Sequence, residues 1–349
     1  MDIELFDYDL PEELIAQTPS RKRDNCRLMV VNRETKTIED KHFYDILDYF
    51  KKGDVLVRNN TKVIPARLYA VKEGTGAKVE VLLLKDLGDD TYEALCGNAK
   101  TIKEGTVLHF KDDILIGTCV KVLDEGIRHI KFKYHGIFLE ELDKIGLMPL
   151  PPYIKQQVSD NNDYQTVYAK IEGSAAAPTA GFHFTNELLN KLTEKGVIIL
   201  DITLNVGLGT FRPVKVKDTK DHVMHSETFV MLDDAAKKLN LAKKEGRRII
   251  ACGTTSVRTL EAIYSKYNTF KECHEETSIF IEPGYKFKAV DALITNFHLP
   301  KSTLVMLVSA FMGREFTLEC YKHAVEEKYR FFSFGDAMFI YGKYDYTKN

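Results

Sequence analysis

The sequence predicts an α/β protein with a mostly parallel sheet and helices on both faces (three layers), interrupted by an inserted small β-barrel. After residue 154, helix patterns alternate with apolar strands, which is typical of a parallel sheet covered on both faces. Between residues 68 and 146, roughly five or six short alternating strands are separated by Gly and Asp turns, which suits a small barrel. We therefore assign 1–66 and 150–349 to a discontinuous α/β domain and 67–149 to the inserted barrel.

The first 66 residues are expected to open the α/β domain. A short helix begins near Pro11, and a strand at 28–31 follows a group of basic residues. Residues 41–50 have a helical pattern, and a second apolar strand follows at 54–57. That strand runs into a polar loop at 58–67, whose arginines and lysine can hold an anion or a nucleic-acid backbone.

The remaining elements follow from apolar periodicity. The barrel strands are predicted at 78–84, 92–96, 107–110, 115–123 and 127–134, and a proline-rich connector at 147–153 ends the barrel. In the second part of the α/β domain, strands are predicted at 197–203, 248–252, 289–295, 330–334 and 337–341. Helices are predicted at 186–195, 233–245, 257–267, 302–312 and 318–328.

Composition narrows the class of protein. Hydrophobic residues at 44% and charged residues at 29% are ordinary for a soluble globular chain, and the net charge of −2 restricts nucleic-acid binding to a local patch. The six scattered cysteines form no CxxC pair, which favours reduced thiols in the cytoplasm. No apolar run approaches the ~20 residues of a membrane span, so no membrane association is expected. No coiled-coil or unusually apolar surface stretch appears, and we expect a monomer.

Three predicted strands end in small or polar residues. The loop 205–211 follows the strand near 198–204, the segment 252–258 follows the next, and 296–302 follows the third. Ligands in open α/β sheets collect at the carboxyl ends of strands. The three exits together therefore indicate one shared pocket.

A fourth stretch, residues 173–185, is small-residue-rich, nearly uncharged and contains His183. One interpretation is a core turn with a satisfied histidine, and the other is a pocket wall presenting a titratable group. His298, which follows a strand and precedes Pro300, is a second histidine that can transfer a proton near neutral pH. The segment Thr254–Ser256 lies between a strand and a helix, where it can hold a carboxylate or phosphate or act as an ordinary helix cap.

Two familiar motifs are excluded. Gly207 and Gly209 resemble a dinucleotide fingerprint, but Arg212 occupies the third glycine position and Pro213 follows it. His222, His225 and Glu227 resemble a metal cluster, but their spacing is not HExxH and no further ligand is evident. We expect no metal.

The segments FDYDLPEELIAQTPS, RNNTKVIPARL, PLPPYI, YQTVYA, GSAAAPTAGFHFT, VGLGTFRPV, HSE, GTTSVRTLE and TNFHLPKSTL occur in this order from residue 5 to beyond residue 310. Together they resemble the S-adenosylmethionine:tRNA ribosyltransferase-isomerase family over nearly the whole chain. The resemblance implies an α/β domain with an inserted barrel. It also implies transfer and isomerisation of the ribosyl group of S-adenosylmethionine onto 7-aminomethyl-7-deazaguanine at the tRNA wobble position, giving epoxyqueuosine-tRNA, adenine and methionine. S-adenosylmethionine is then a consumed co-substrate, and no bound cofactor is expected.

This chemistry requires a base, a carboxylate site and cations for tRNA. Either His183 or His298 is the candidate base. Lys62, Arg67 and Arg212 are candidate tRNA or anion contacts. The candidate S-adenosylmethionine-binding residues are Gly207, Gly209, Thr210, Thr254, Thr255, Ser256, Arg258 and Asn296. Within this set, the turn Thr254–Ser256 and Arg258 are the hypothesised site for the methionine carboxylate.

One position departs from the family, which usually has histidine where this chain has Asn205. We interpret the departure as indicating that the base lies elsewhere, which favours His183 and His298. Two other classes remain as alternatives: an S-adenosylmethionine-dependent RNA methyltransferase and a non-catalytic RNA-binding protein. The first requires a glycine-rich strand-loop that the sequence lacks, and the second requires a basic barrel face.

Overall fold

The structure is a computed structural model that describes residues 1–156, 160–207 and 216–344. Within them, the strands of the first half are β1 (Arg27–Asn32), β2 (Thr37–His42), β3 (Val55–Asn59), β4 (Thr61–Val63), β5 (Arg67–Lys72), β6 (Lys78–Asp86), β7 (Thr91–Cys96), β8 (Val107–Phe110), β9 (Ile116–Val122) and β10 (Ile127–Lys133). Those of the second half are β11 (Ile171–Ser174), β12 (Ile198–Leu204), β13 (Glu227–Met231), β14 (Ile249–Cys252), β15 (Cys273–Thr277), β16 (Ala292–Asn296) and β17 (Ala337–Tyr341). The α-helices are α1 (Phe138–Ile145), α2 (Asn186–Glu194), α3 (Asp233–Lys244), α4 (Thr254–Tyr267), α5 (Thr303–Met312) and α6 (Arg314–Glu326).

The described residues form a nine-stranded sheet in the order β15-β13-β12-β3-β14-β16-β17-β1-β2. Strands β12, β3, β14 and β16 are parallel neighbours, and β1 is parallel to β17. The other four pairings, β15 with β13, β13 with β12, β16 with β17 and β1 with β2, are antiparallel. The expected mostly parallel, three-layer arrangement is therefore not confirmed, because the main sheet is mixed.

The expected and observed sheets differ because the sequence patterns did not predict some of the antiparallel strands. The edge strands β2 and β15 are largely polar, and apart from the buried Thr277 their side chains are exposed or half-buried, so apolar periodicity did not reveal them. The segment 330–334, predicted as a strand, is not one. It contributes a single bridge, between Ile15 and Phe331, and then turns at Phe332, whose φ is +70°.

Apolar side chains lie on both faces of the sheet. Val55 and Val57 of β3 belong to a large buried cluster that includes Leu260 of α4. Leu56, between them, belongs to a second cluster that includes Leu188 of α2. Successive side chains of a strand point to opposite faces, so the parallel strands are buried on both sides and only their ends are open to ligands.

The strands between residues 67 and 133 close a six-stranded antiparallel barrel in the order β10-β7-β6-β5-β8-β9. Its interior is apolar, and along β10 the buried Phe132 alternates with the exposed Lys131 and Lys133, as the sequence pattern predicts. A bridge between Arg67 and Leu147 and an ion pair of 2.7 Å between Lys85 and Glu276 join the barrel to the rest of the chain. The domain boundaries at residues 67 and 149 remain a prediction.

Among the described residues, no helix is both long enough and apolar enough to cross a membrane.

Candidate functional site

A cleft lies at the carboxyl ends of β12, β14 and β16 and encloses about 710 Å³ of empty space, open mouth included. Each of the three strand exits contributes to it: Val206 follows β12, Gly253 follows β14, and Asn296 ends β16. The three strand exits therefore meet in one cavity, as expected for a ligand site at the carboxyl ends of strands. The other lining residues are Tyr153, Ala177, Pro178, Thr179, Ala180, Thr254, Thr255, Thr295, Phe297, His298, Leu299, Ser302, Leu304, Phe332 and Ser333.

The small-residue stretch 173–185 forms one wall of this cleft through Ala177–Ala180. Ser174 fixes the stretch to the exit of β12, because its Oγ accepts a hydrogen bond of 2.9 Å from the backbone N–H of Val206. Gly181 has no room for a side chain, since an added Cβ would lie 1.9 Å from the Tyr168 hydroxyl oxygen. Small residues are thus needed here for close approach, as the composition predicts.

His183 lies behind this wall and not among the residues that line the cleft. It is buried, and its Nε2 lies 2.9 Å from Oδ1 of Asn296. The Asn296 amide nitrogen donates to the Phe332 carbonyl, so Oδ1 is the atom that accepts from the histidine. Nδ1 is then unprotonated in the neutral ring and accepts from the Cys26 thiol at 3.1 Å. A directed chain of donors therefore runs from Cys26 through His183 to Asn296.

Burial lowers the pKa of His183 to about 4, although the hydrogen bond to Asn296 acts in the opposite direction. The ring is neutral at pH 7. Because Asn296 does line the cleft, His183 is placed to fix the orientation of that amide.

His298 does line the cleft. Desolvation lowers its pKa to about 3, and its Nε2 shares a hydrogen bond of 2.8 Å with Oγ1 of Thr295. The half-buried Tyr8 and the buried Tyr321 hold its backbone: the Tyr8 hydroxyl donates to the His298 carbonyl, and the His298 N–H donates to the Tyr321 hydroxyl at 3.1 Å. The imidazole is therefore neutral, firmly positioned and adjacent to the space a ligand would fill.

The N-terminus of α4 supplies polar groups to the same cleft. Thr254 and Thr255 line it, and Oγ1 of Thr255 is buried with no hydrogen-bond partner among the described residues. Ser256 is fully buried and its hydroxyl donates to the Cys252 carbonyl at 2.8 Å. Free N–H groups in the first turn of a helix favour a negatively charged ligand. Two of the three hydroxyls in this segment are thus available to a ligand, and the third holds the turn.

Arg258 lies one turn further along α4 and does not line the cleft. Its Nη1 is paired with Oε2 of Glu227, and both side chains are more than nine-tenths buried. The pair lines an adjoining cavity together with His222 and His225. Within the described residues, no group of three or more His, Cys, Asp or Glu side chains can hold a metal ion.

The other predicted contacts lie away from the cleft or outside the described residues. Lys62 is paired with Glu172 at 2.8 Å, and Nε of Arg67 lies 3.3 Å from Glu80. The backbone N–H of Gly207 lies 3.4 Å from Oε1 of Glu227. Gly209, Thr210 and Arg212 lie outside the residues that the structure describes.

Several residues of the site were missed by sequence reasoning. Phe332 and Ser333 were assigned to a strand, yet they form part of the cleft wall, and both of their carbonyls approach the Asn296 amide. Tyr8 and Glu227 are in the quoted motifs but were given no role. Asn205 accepts a hydrogen bond of 2.9 Å from Thr61 and is not among the cleft residues.

The whole chain matches known proteins. The family model described as queuosine biosynthesis protein matches residues 3–340. The crystal structure of an S-adenosylmethionine tRNA ribosyltransferase from Thermotoga maritima is 39% identical in sequence, with a TM-score of 0.57, and the match covers 96% of this chain and 99% of that one. Both comparisons span the sheet, the barrel and the cleft, so this chain belongs to the family of queuosine biosynthesis proteins.

Proposed function

We propose that this protein is an enzyme that transfers and isomerises the ribosyl group of S-adenosylmethionine onto 7-aminomethyl-7-deazaguanine at the wobble position of tRNA. The products are epoxyqueuosine-tRNA, adenine and methionine. The observation that carries the proposal is the family match over residues 3–340, together with the 39% identity to an S-adenosylmethionine tRNA ribosyltransferase. The cleft at the carboxyl ends of the parallel strands is the proposed site of reaction.

The reaction needs a group that removes a proton from the ribose 5′ carbon, which the neighbouring sulfonium acidifies. His298 is our candidate, because it lines the cleft and a neutral imidazole can accept a proton. Thr295 and the two tyrosines that hold the His298 backbone would fix its direction. His183 supports the reaction from behind, by orienting the amide of Asn296.

The polar turn at the start of α4 is our candidate for binding S-adenosylmethionine. Thr254 and Thr255 offer hydroxyls and free N–H groups to the cleft, and Asn296 lies across from them. Departure of adenine needs hydrogen bonds to its nitrogens, for which these groups are suited. Gly207, next to the cleft residue Val206, extends the proposed site towards Glu227.

We infer that Lys62 and Arg67 contact the tRNA, and we keep Arg212, which lies outside the described residues, as a further candidate contact. The ion pair of Lys62 with Glu172 is solvent-exposed, so a phosphate can compete for the lysine. We also propose that the enzyme acts as a monomer in the cytoplasm, where its six unpaired cysteines would remain reduced.

One assay tests the function. The protein is incubated with S-adenosylmethionine and tRNA carrying 7-aminomethyl-7-deazaguanine, and the small products are separated. Adenine and methionine released in equal amounts, with gain of mass on the tRNA, are the expected result. S-adenosylhomocysteine would instead identify a methyltransferase, and tRNA binding without turnover would identify an RNA-binding protein.

A further inference from the structure

A second cavity adjoins the cleft, and Leu304 lines both. This adjoining cavity encloses about 530 Å³, open space included, and most of its wall is apolar, with Met224, Ile281 and Leu307 among the lining residues. The buried pair of Arg258 and Glu227 supplies its charge. A buried ion pair in an apolar wall is costly unless its polar atoms are satisfied.

Two of the three guanidinium nitrogens of Arg258 lack a hydrogen-bond partner among the described residues. Its side chain is 8% exposed, and Nη1 pairs with Glu227, but Nε and Nη2 are buried without a hydrogen-bond partner in the described part of the chain. Arg128, which is equally buried, shows the contrast, because each of its three nitrogens donates to a backbone carbonyl. The open edge of Arg258 is thus exceptional for a buried arginine in this protein.

The open edge has a definite shape. Nε and Nη2 form the side of the guanidinium that binds a carboxylate with two parallel hydrogen bonds. Two other arginines of this chain use that edge in this way: Arg58 binds Asp201 through Nε at 2.6 Å and Nη2 at 3.5 Å, and Arg248 binds Asp54 through the same two atoms. In Arg258 the same two atoms have no partner among the described residues, and the residue lines the adjoining cavity.

We propose that Nε and Nη2 of Arg258 bind the α-carboxylate of the methionine part of S-adenosylmethionine, with Glu227 as the counter-charge beside the α-ammonium. This inference rests on the proposed function. Arg258 lies four residues after Thr254, so both occupy one face of α4, about one helical turn apart. Side chains of a helix lean towards its N-terminus, which directs Arg258 towards the turn that lines the cleft.

The charge of the pair favours an amino acid over a phosphate. Glu227 lies beside Arg258, so a phosphate bound to Arg258 would place further negative charge next to a buried carboxylate. A zwitterionic α-amino acid group adds one charge of each sign and therefore no net charge. The adjoining cavity therefore suits the methionine end of the ligand, and the cleft suits the nucleoside end.

The test compares S-adenosylmethionine with its decarboxylated form, which keeps the sulfonium and the amine but lacks the carboxylate. Affinities are measured by calorimetry for the wild-type protein and for Arg258→Met. We expect the wild type to prefer S-adenosylmethionine by about 10- to 100-fold, as charge-assisted hydrogen bonds allow. Arg258→Met should bind the two ligands about equally.

Arg258→Met leaves Glu227 buried without its partner and can lose its fold. The double variant Arg258→Met/Glu227→Gln removes both charges and provides the same comparison. Arg248→Met/Asp54→Asn removes the corresponding pair at the amino ends of β3 and β14, and it should keep the wild-type preference. These controls separate loss of the carboxylate contact from general destabilisation.

A wild type that turns over S-adenosylmethionine but binds both ligands equally would overturn this inference and leave the proposed function standing. The same holds if either Arg258 variant keeps the full preference. A wild type that binds neither ligand would overturn the proposed function, and the inference with it.

Discussion

Nε2 of His183 lies 2.9 Å from Oδ1 of Asn296, so this buried histidine, which does not line the cleft, contacts a cleft residue through the asparagine amide. Its role is therefore one of positioning, and two substitutions distinguish that role from proton transfer. Glutamine can place an N–H donor near the position of Nε2 but cannot take a proton, whereas leucine provides neither. We expect His183→Gln to retain at least about a tenth of the single-turnover rate, and His183→Leu to lose about 10- to 100-fold more. Equal loss in both variants, with unchanged binding of S-adenosylmethionine, would instead indicate that His183 is the base.

His298 is expected to behave differently, because it lines the cleft. A positioned base contributes roughly 10²- to 10⁴-fold to a rate, so both His298→Gln and His298→Ala should lower the single-turnover rate by at least about 10²-fold. Binding of S-adenosylmethionine should change much less. Tyr8→Phe removes the hydroxyl that donates to the His298 carbonyl, and it should give a smaller loss of rate. Near-normal rates in both His298 variants would exclude it as the proton-transfer group.

The lowered pKa values of the buried His183 and the half-buried His298 should make stability depend on pH below neutrality. Burial holds the pKa of His183 at about 4 and that of His298 at about 3, whereas both return to about 6.5 on unfolding. Between about pH 4 and pH 6.5 the unfolded chain binds more protons, so the free energy of unfolding rises with pH. Each histidine contributes up to about 1.4 kcal/mol per pH unit in that window.

Denaturant unfolding at several pH values checks this, with His183→Gln as the comparison. Between pH 4.5 and pH 6, the free energy of unfolding should rise less steeply with pH in the variant, because the contribution of one histidine is missing. Above about pH 7, the free energies of unfolding of variant and wild type should differ by a constant amount. Parallel curves across the whole range would mean that His183 does not have its lowered pKa in the folded state.

Substitution by alanine at two glycines near the cleft should affect the stability of the protein to different extents. A Cβ at Gly181 would lie 1.9 Å from the Tyr168 hydroxyl oxygen and 2.9 Å from Cγ2 of Thr166, so Gly181→Ala should destabilise the protein by about 1–3 kcal/mol. A Cβ at Gly207 would meet nothing within 4 Å, so Gly207→Ala should change thermal stability little. If Gly207→Ala nevertheless weakens binding of S-adenosylmethionine, the added methyl group obstructs the ligand itself. Equal stability of the two variants would contradict the close packing of Gly181.

Substitutions of Lys62 and Arg67, the two described cations proposed to contact tRNA, should have different effects on tRNA binding and on stability. Lys62 is held only by an exposed ion pair, whereas Nη2 of Arg67 donates to the Leu150 carbonyl at 3.3 Å and its backbone pairs with Leu147. We expect Lys62→Ala to weaken tRNA binding and to reduce the slope of log Kd against log salt by about 0.7–0.9. Arg67→Ala should reduce that slope less and lower thermal stability more. An unchanged slope in Lys62→Ala would remove the lysine from the proposed tRNA surface.

The central strands and the barrel could be predicted from the sequence because their apolar periodicity is strong. Strand β17 was placed at its observed bounds, and five of the six barrel strands were placed to within about two residues, whereas β5 was given no bounds. The polar edge strand β15, with the sequence CHEET, has no such pattern, and its position depends on pairing with β13. The segment 330–334 is apolar because it is buried beside Asn296 and not because it is a strand, so burial misled the assignment.

The meeting of three strand exits was predictable from the rule that parallel strands place their carboxyl ends at one edge. The choice between His183 and His298 was not, because it depends on which side of the residue 173–185 wall each ring lies. The pairing of Arg258 with Glu227 could not be predicted from the sequence either, because the two residues lie on different elements, α4 and β13, that meet through tertiary contacts. Sequence patterns thus predicted that the three strand exits share a pocket, whereas only the folded structure shows which side chains line it.

Strand β1 pairs in parallel with β17, so that Leu28 lies beside Ala337, and β17 separates β1 from the four central parallel strands in the sheet of the described residues. During synthesis, the ribosome must therefore deliver more than three hundred residues after β1 before that strand can join the sheet. The barrel strands, all within 67–133, can close long before then. The nascent chain therefore passes through a stage in which the barrel can be folded while the main sheet is still incomplete. The unpaired strand edges of that sheet can aggregate or bind chaperones.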